Sequence, residues 1–162
     1  MSIEIKGLEE AKRTLESLED FSSSKNMKKI MNTIGNMVYN VTMESFENQK
    51  SPFGEKWKDL SKATEKSKKG KGRILRHSGD LEDKWNIEAT NNKVEITGNT
   101  KSKKGYPYGA VHQFGSSKAG RNRNIKIEAR PFLPIDNDGF LEDNLKNAIE
   151  DMLTKELKKV IN

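Results

Sequence analysis

The 162-residue sequence contains no cysteine, only two histidines and only four prolines. Without thiols there is no disulfide framework and no thiolate metal site. His77 and His112 alone would leave an all-protein zinc site in need of at least two carboxylates. Long apolar runs are missing as well: nothing approaches the roughly 18 residues that cross a bilayer as a helix. The first six residues lack the basic-then-apolar layout of a signal peptide. Apolar side chains make up 32% of the chain and charged ones 33%, and mean hydropathy is -0.90. These shortages predict one soluble domain over residues 1–162, with a compact core, several loops outside it and no membrane contact.

Positive charge is abundant and unevenly placed. The formal net charge is +6; residues 50–76 hold ten Lys/Arg against three Asp/Glu, and 101–130 hold eight against one. The rest of the chain is therefore acidic. Lys66, Lys68, Lys69, Lys71, Arg73 and Arg76 form one basic cluster. Lys101, Lys103, Lys104, Lys118, Arg121 and Arg123 form the other. Glycines accompany both, so 66–76, 98–105 and 115–124 are expected to be flexible basic loops. Lys68, Lys69, Lys71, Arg73, Lys103, Lys104, Arg121 and Arg123 are the candidate interaction residues. They suit phosphate, acidic surfaces of neighbouring copies, or plain solvent. No helix-turn-helix cue, zinc finger or interleaved aromatic set accompanies them, which argues against sequence-specific DNA reading.

Periodicity supplies the elements. Ile3 and Ile5 alternate with Glu4 and Lys6, as in a short strand. Leu8, Ala11, Leu15 and Leu18 predict a helix to about Asp20. The stripe Met27, Ile30, Met31, Ile34, Met37, Val38, Val41 and Ser45 predicts a long helix over 27–48, capped by Ser24 or Asn26. Gly35 within it costs about 1 kcal/mol relative to alanine when exposed; a close crossing would justify it. Residues 61–69 predict a turn or two of helix capped by Ser61, and 80–85 a further turn with Leu81 and Trp85 on one face. Trp85, Ile87 and Ala89, then Val94 and Ile96 across Asn91 and Asn92, form a hairpin. Ile125 and Ile127 read as another strand. Leu141, Leu145, Ala148, Ile149, Met152, Leu153, Leu157 and Val160 predict a last helix, capped from Asp136, Asn137 or Asp138. The sum is an α+β domain: a small, mainly antiparallel sheet packed against two long helices and one or more shorter ones.

Chemistry is sparse. His77, Ser78 and Asp80 invite a hydrolytic reading, yet neighbours on a turn seldom converge on one substrate atom, and no G-x-S-x-G elbow is present. His112, beside Val111 and Phe114, reads as a packed histidine bonded to backbone. Gly70 and Gly72 lack the flanking strand and helix of a phosphate loop. No carboxylate pair has a catalytic or metal-binding spacing. No catalytic set, cofactor site or metal site emerges, and a small hydrolase using His77 or His112 is the weaker alternative. A basic module contacting the phosphate backbone is the stronger one.

The chain is organised around 106–115, where Tyr106, Pro107, Tyr108, Ala110, Val111 and Phe114 are punctuated by Gly105, Gly109 and Gly115. Prolines and glycines set special backbone angles, so the stretch predicts a turn, a short docked element and another turn. Three further stretches accompany it. Phe53, Gly54 and Trp57 form an aromatic loop, with both rings expected to plug it onto the domain. Ile74, Leu75, Ser78, Gly79 and Leu81 form an "I-L-x-x-[ST]-G-x-L" turn. Arg130, Pro131 and Phe132 form an "x-R-P-F" turn. With Tyr108, Ala110, His112, Phe114 and Gly115 as a "Y-A-x-x-H-x-x-G" core, the ordered set resembles the phage virion morphogenesis family, which includes tail-completion proteins of contractile-tailed phages and prophages. Gly109 separates the usually adjacent tyrosine and alanine, so a local bulge is expected there. The resemblance implies a non-enzymatic virion part without cofactors, used in tail completion or head–tail joining. It also implies other tail or neck proteins as partners, a homo-oligomer such as a ring, and a place in the virion or in the host cytoplasm during assembly.

Overall fold

The computed structural model describes residues 8–68, 72–98, 100–102, 105–120 and 122–161. The strand expected at 2–6 lies outside them. Three long helices carry the fold: α1 (Leu8–Phe21), α2 (Ser24–Asn48) and α6 (Asp143–Ile161). Between α2 and α6 come α3 (Lys62–Ser67), α4 (Asp80–Asp83), β1 (Trp85–Ala89), β2 (Val94–Gly98), α5 (Tyr108–Phe114), β3 (Ser116–Ala119) and β4 (Ile125–Ile127). The architecture is α+β, with antiparallel pairing throughout, split into two two-stranded ladders, β1–β2 and β3–β4. No helix among the described residues is long and apolar enough to cross a membrane.

The β1–β2 hairpin forms with Ile87 opposite Ile96 and Ala89 opposite Val94, so one face of alternating apolar residues is presented to α2. Helix α2 touches both strands, and also α1 and α6. Gly35 is what lets it settle on the hairpin. It is buried, and a Cβ there would stand 2.6 Å from Ile87 Cγ2 and 2.8 Å from Val94 Cγ2. The glycine gives up helix propensity for a close crossing. Thr42 and Ser45, buried on the same helix, donate their hydroxyls to the carbonyls of Val38 and Val41, so no polar group is stranded.

Several boundaries differ from expectation for identifiable reasons. Helix α2 starts at Ser24 with no side-chain cap; Asn26 instead donates to Asp20 O, tying the end of α1 to the start of α2. Ser61 does cap α3, accepting from Thr64 N–H. Helix α6 is capped by Glu142, whose carboxylate accepts from the N–H groups of Asn144 and Leu145. Asp136 is not its cap: Oδ1 accepts from Asp138 and Phe140 N–H and shapes a separate turn. The expected loop at 115–124 contains β3, whose sequence is polar and whose strand character comes from pairing with β4. The bulge expected at Gly109 is absent: Tyr108 and His112 keep the four-residue spacing of the "Y-A-x-x-H" pattern, so Gly109 stands in place of its alanine, in the first turn of α5.

Candidate functional site

The four sequence signatures meet in one place. Phe132, 2% exposed, has its ring 5.2 Å from Phe46 and 6.0 Å from Trp85, and Trp57 meets Phe46 edge-on at 5.6 Å. Ile74 and Leu81 complete the buried cluster, with Leu75, Tyr108 and Leu133 packed against it. Each fully buried large side chain contributes about 1.5–3 kcal/mol, and edge-on aromatic pairs add about 0.5–1.5 kcal/mol. Phe53 departs from expectation. It stays 44% exposed while Trp57 alone plugs the loop. Ala110 and Phe114 are exposed on the outer side of α5.

A polar clasp locks the cluster. Gln113 is buried, and its Oε1 accepts from Phe132 and Leu133 N–H at 2.9 Å each. Its Nε2 donates to Leu133 O at 3.2 Å and Ile135 O at 3.3 Å. Trp57 Nε1 donates to Pro131 O at 2.7 Å. Arg130 donates to Lys58 O and Asp59 O, both at 2.9 Å, and its own N–H reaches His112 O at 2.7 Å. Gln49, in the left-handed region at the end of α2, accepts from Ile74 N–H through Oε1 and from Trp57 N–H through its carbonyl. Gly115 turns the chain out of α5 at φ 75°, ψ 179°, a combination open in practice to glycine. A Cβ there would lie 3.1 Å from Ala129 N and from Ile127 O. Gly79 also has positive φ, at the start of α4.

Sequence reasoning did not single out Gln113, Gln49 or Phe46. A glutamine in a short helix looks like any solvated residue, and nothing local marks it as a clasp. Phe46 continues the apolar stripe of α2, and following that stripe one residue beyond Ser45 would have found it.

Beside the clasp lies an open cleft of about 840 Å³, between the 58–64 segment, the 74–81 turn, α5 and β4. Leu60, Leu75, Tyr108 and Ile127 give it an apolar lining, and His112 and Arg130 contribute to its wall. Burial, and secondarily the Arg130 charge, push the His112 pKa down; its Nδ1 is buried and, among the described residues, has no partner. His77, Ser78 and Asp80 also line the cleft but do not form a relay. The Asp80 carboxylate is engaged by Lys84 at 2.6 Å, which with Ser78 holds it below its usual range. Among the described residues no cluster of His, Cys, Asp or Glu suits a metal ion.

The basic loops divide. Lys69, Lys71, Lys103, Lys104 and Arg121 lie outside the described residues. Lys68 and Arg73 are taken up by internal bonds. Lys68 Nζ donates to the carbonyls of Arg73 and Arg76, closing the turn that holds Leu75 at φ 57°. Arg73 reaches Phe46 O and Glu82, and Arg76 shares Glu82 at 2.7 Å. In the 98–105 stretch Thr100 is buried, so this segment packs on the domain in part. Lys101, Lys118 and Arg123 are exposed.

The profile of the phage virion morphogenesis family matches residues 6–158. The chain is similar to the Mu-like prophage FluMu G protein 2 of Haemophilus influenzae, at 31% identity over 151 residues, covering 88% of this chain and 92% of that one. No solved structure matches it.

Proposed function

Because the chain belongs to the phage virion morphogenesis family and is a non-enzymatic phage assembly protein, we propose that it acts in completing a tail or joining it to a head, through contacts between subunits. One observation supports this most: at least one residue of every signature is spent on geometry. Trp57, Gly115, Arg130 and Phe132 build a clasp whose bonds run to backbone carbonyls and to packed rings. A part that must hold its docking faces at fixed angles needs such a frame. In this reading its partners are other tail or neck proteins and further copies of itself, and it works during assembly, in the host cytoplasm or on the growing virion. Of the described basic residues, Lys68, Arg73 and Arg76 are bonded internally, which weakens the phosphate-binding alternative.

The test is electron microscopy of lysates from phage carrying a disrupted copy of this gene, with a plasmid-restored control. Filled heads beside separate or abnormally ended tails are the expected result. Normal infectious particles would remove the protein from the pathway.

A further inference from the structure

The turn at 135–141 is anchored by Ile135, whose carbonyl accepts from Gln113, and leaves residues 137–140 exposed. Ile135 and Leu141 form a bridge at its base. Asp136 N–H donates to Phe140 O at 2.9 Å, while Asp136 Oδ1 accepts from Phe140 N–H at 2.8 Å. Gly139, at φ 89°, completes the turn. The result is a braced knob that holds Phe140 out at 70% exposure, the highest among the large apolar residues described. A lone exposed apolar residue is ordinary. This one differs in standing on a turn already braced by the hydrogen bonds of Asp136 with Asp138, Gly139 and Phe140, so little ordering cost remains to be met on binding. Its charge is also one-sided: from Pro131 to Leu145 there are four carboxylates and no lysine or arginine.

The cleft beside the clasp has the opposite character. Its lining residues Leu60, Leu75, Tyr108 and Ile127 suit an aromatic ring. Lys58, Lys68, Lys101, Lys126 and Arg130 line it together with Asp59, Asp80 and Glu128, an excess of cations. Lys58 and Lys126 share Glu128. Arg130 and Lys68 are bonded to carbonyls. Lys101 is exposed and makes no ion pair among the described residues. No residue of the knob lines this cleft, so the chain does not fill it with its own Phe140.

We propose that the cleft receives the Phe140 knob of a second copy of this chain, the aromatic ring entering between Leu60, Leu75 and Tyr108 while Asp138 meets Lys101 and Lys126 at the rim. This rests on the assembly reading above and adds the surfaces. Knob and cleft are different patches, so the contact is head-to-tail, and repetition gives a ring or an open filament according to the angle between copies.

Sedimentation velocity on three purified proteins tests this, with melting curves showing that each is folded. Wild type is expected to self-associate with concentration and to dissociate with salt. F140S and the double variant K101E/K126E, altered only at exposed side chains, should each stay monomeric, with dissociation constants raised about tenfold or more. Mixed together, they should form a dimer that stops at two, because one retains the cleft and the other the knob. Wild type that stays monomeric, F140S that associates like wild type, or a mixture that stays monomeric would each overturn the proposal. Those outcomes leave the assembly reading intact wherever gene disruption still yields unjoined tails. Normal particles after disruption would sink that reading instead.

Discussion

Replacing Gln113 by leucine tests the clasp directly. The change keeps the side chain close to its original size, so its main effect is on the four hydrogen bonds to Phe132 N–H, Leu133 N–H, Leu133 O and Ile135 O. At about 1 kcal/mol net for each bond, the loss is about 4 kcal/mol. Phe132 is buried, so its N–H would be left without water, which raises the cost. Leu133 and Ile135 are half-buried, so water replaces part of what they lose, which lowers it. The two corrections oppose each other, and about 3–5 kcal/mol is the expected destabilisation. Against a typical total of about 5–15 kcal/mol, that is a large fraction. For a domain of this size it corresponds to a drop in Tm of roughly 10 °C or more. Urea unfolding followed by tryptophan fluorescence reads it, since Trp57 and Trp85 sit in the affected cluster. Gln113→Glu keeps both acceptor bonds, loses both donor bonds and sets a carboxylate oxygen against two carbonyls, so it should also destabilise. A Gln113→Leu protein within about 0.5 kcal/mol of wild type would refute the clasp, since that is the effect of an ordinary surface change.

Gly115→Val should destabilise by about 2 kcal/mol or more, because φ 75° with ψ 179° is closed to a β-branched residue and its Cβ would press on Ala129 N and Ile127 O; an unchanged melting curve would make the residue ordinary loop. Gly35→Ala gains about 1 kcal/mol of helix propensity but overpacks Ile87 and Val94 at a cost of about 1–3 kcal/mol. The net change should be a loss that disappears in an Ile87→Ala/Val94→Ala background, where both clashing methyl groups are gone, and an equal loss there would show the crossing is not what limits the site. The His112 pKa is depressed below its ordinary 6.5, so the unfolded chain takes up a proton before the folded one does. Its contribution is therefore intact above about pH 6.5 and is lost as pH falls through that value towards the lower folded pKa. His112→Asn should flatten the decline of Tm between about pH 7.5 and pH 5; an equally steep decline would assign the effect to other groups.

Periodic burial made much of this fold readable in advance. Helix α2, the β1–β2 hairpin and α6 each bury one face, so their apolar residues recur at the spacing of the element. The pieces that were not readable take their identity from something distant in sequence. Strand β3, Ser116–Ala119, carries no strand signal of its own and exists because β4 lies beside it. Glu142, not the Asp136 to Asp138 group, caps α6, because Asp136 is already bonded within its own turn. Lys68 and Arg73 look like solvated charge in a basic run, but carbonyls freed by the turn around Leu75 and by the end of α2 draw them inward. The order of the signature stretches could be read from the sequence. That Gln113 binds them together could not, since its four partners come from a stretch about twenty residues away.

Helix α5 explains why a short segment organises the chain. Tyr108 and His112 are four apart and line the cleft, while Gly109 and Gln113, also four apart, face the interior. Gly109 lets the helix lie flush, since a Cβ there would come within 2.7 Å of Thr100 Oγ1 and 3.4 Å of Leu81 Cδ1. Gln113 grips the carbonyls of Leu133 and Ile135, immediately before the Phe140 knob. Arg130, bonded through its own N–H to His112 O at the end of α5, pins Lys58 and Asp59, which also line the cleft. One helix therefore fixes both the cleft and the base of the knob within a single subunit. In head-to-tail assembly the angle between those two features sets the rotation from copy to copy, and only a fixed rotation closes a ring. Residues that touch no partner would then govern the assembly as strongly as those that do.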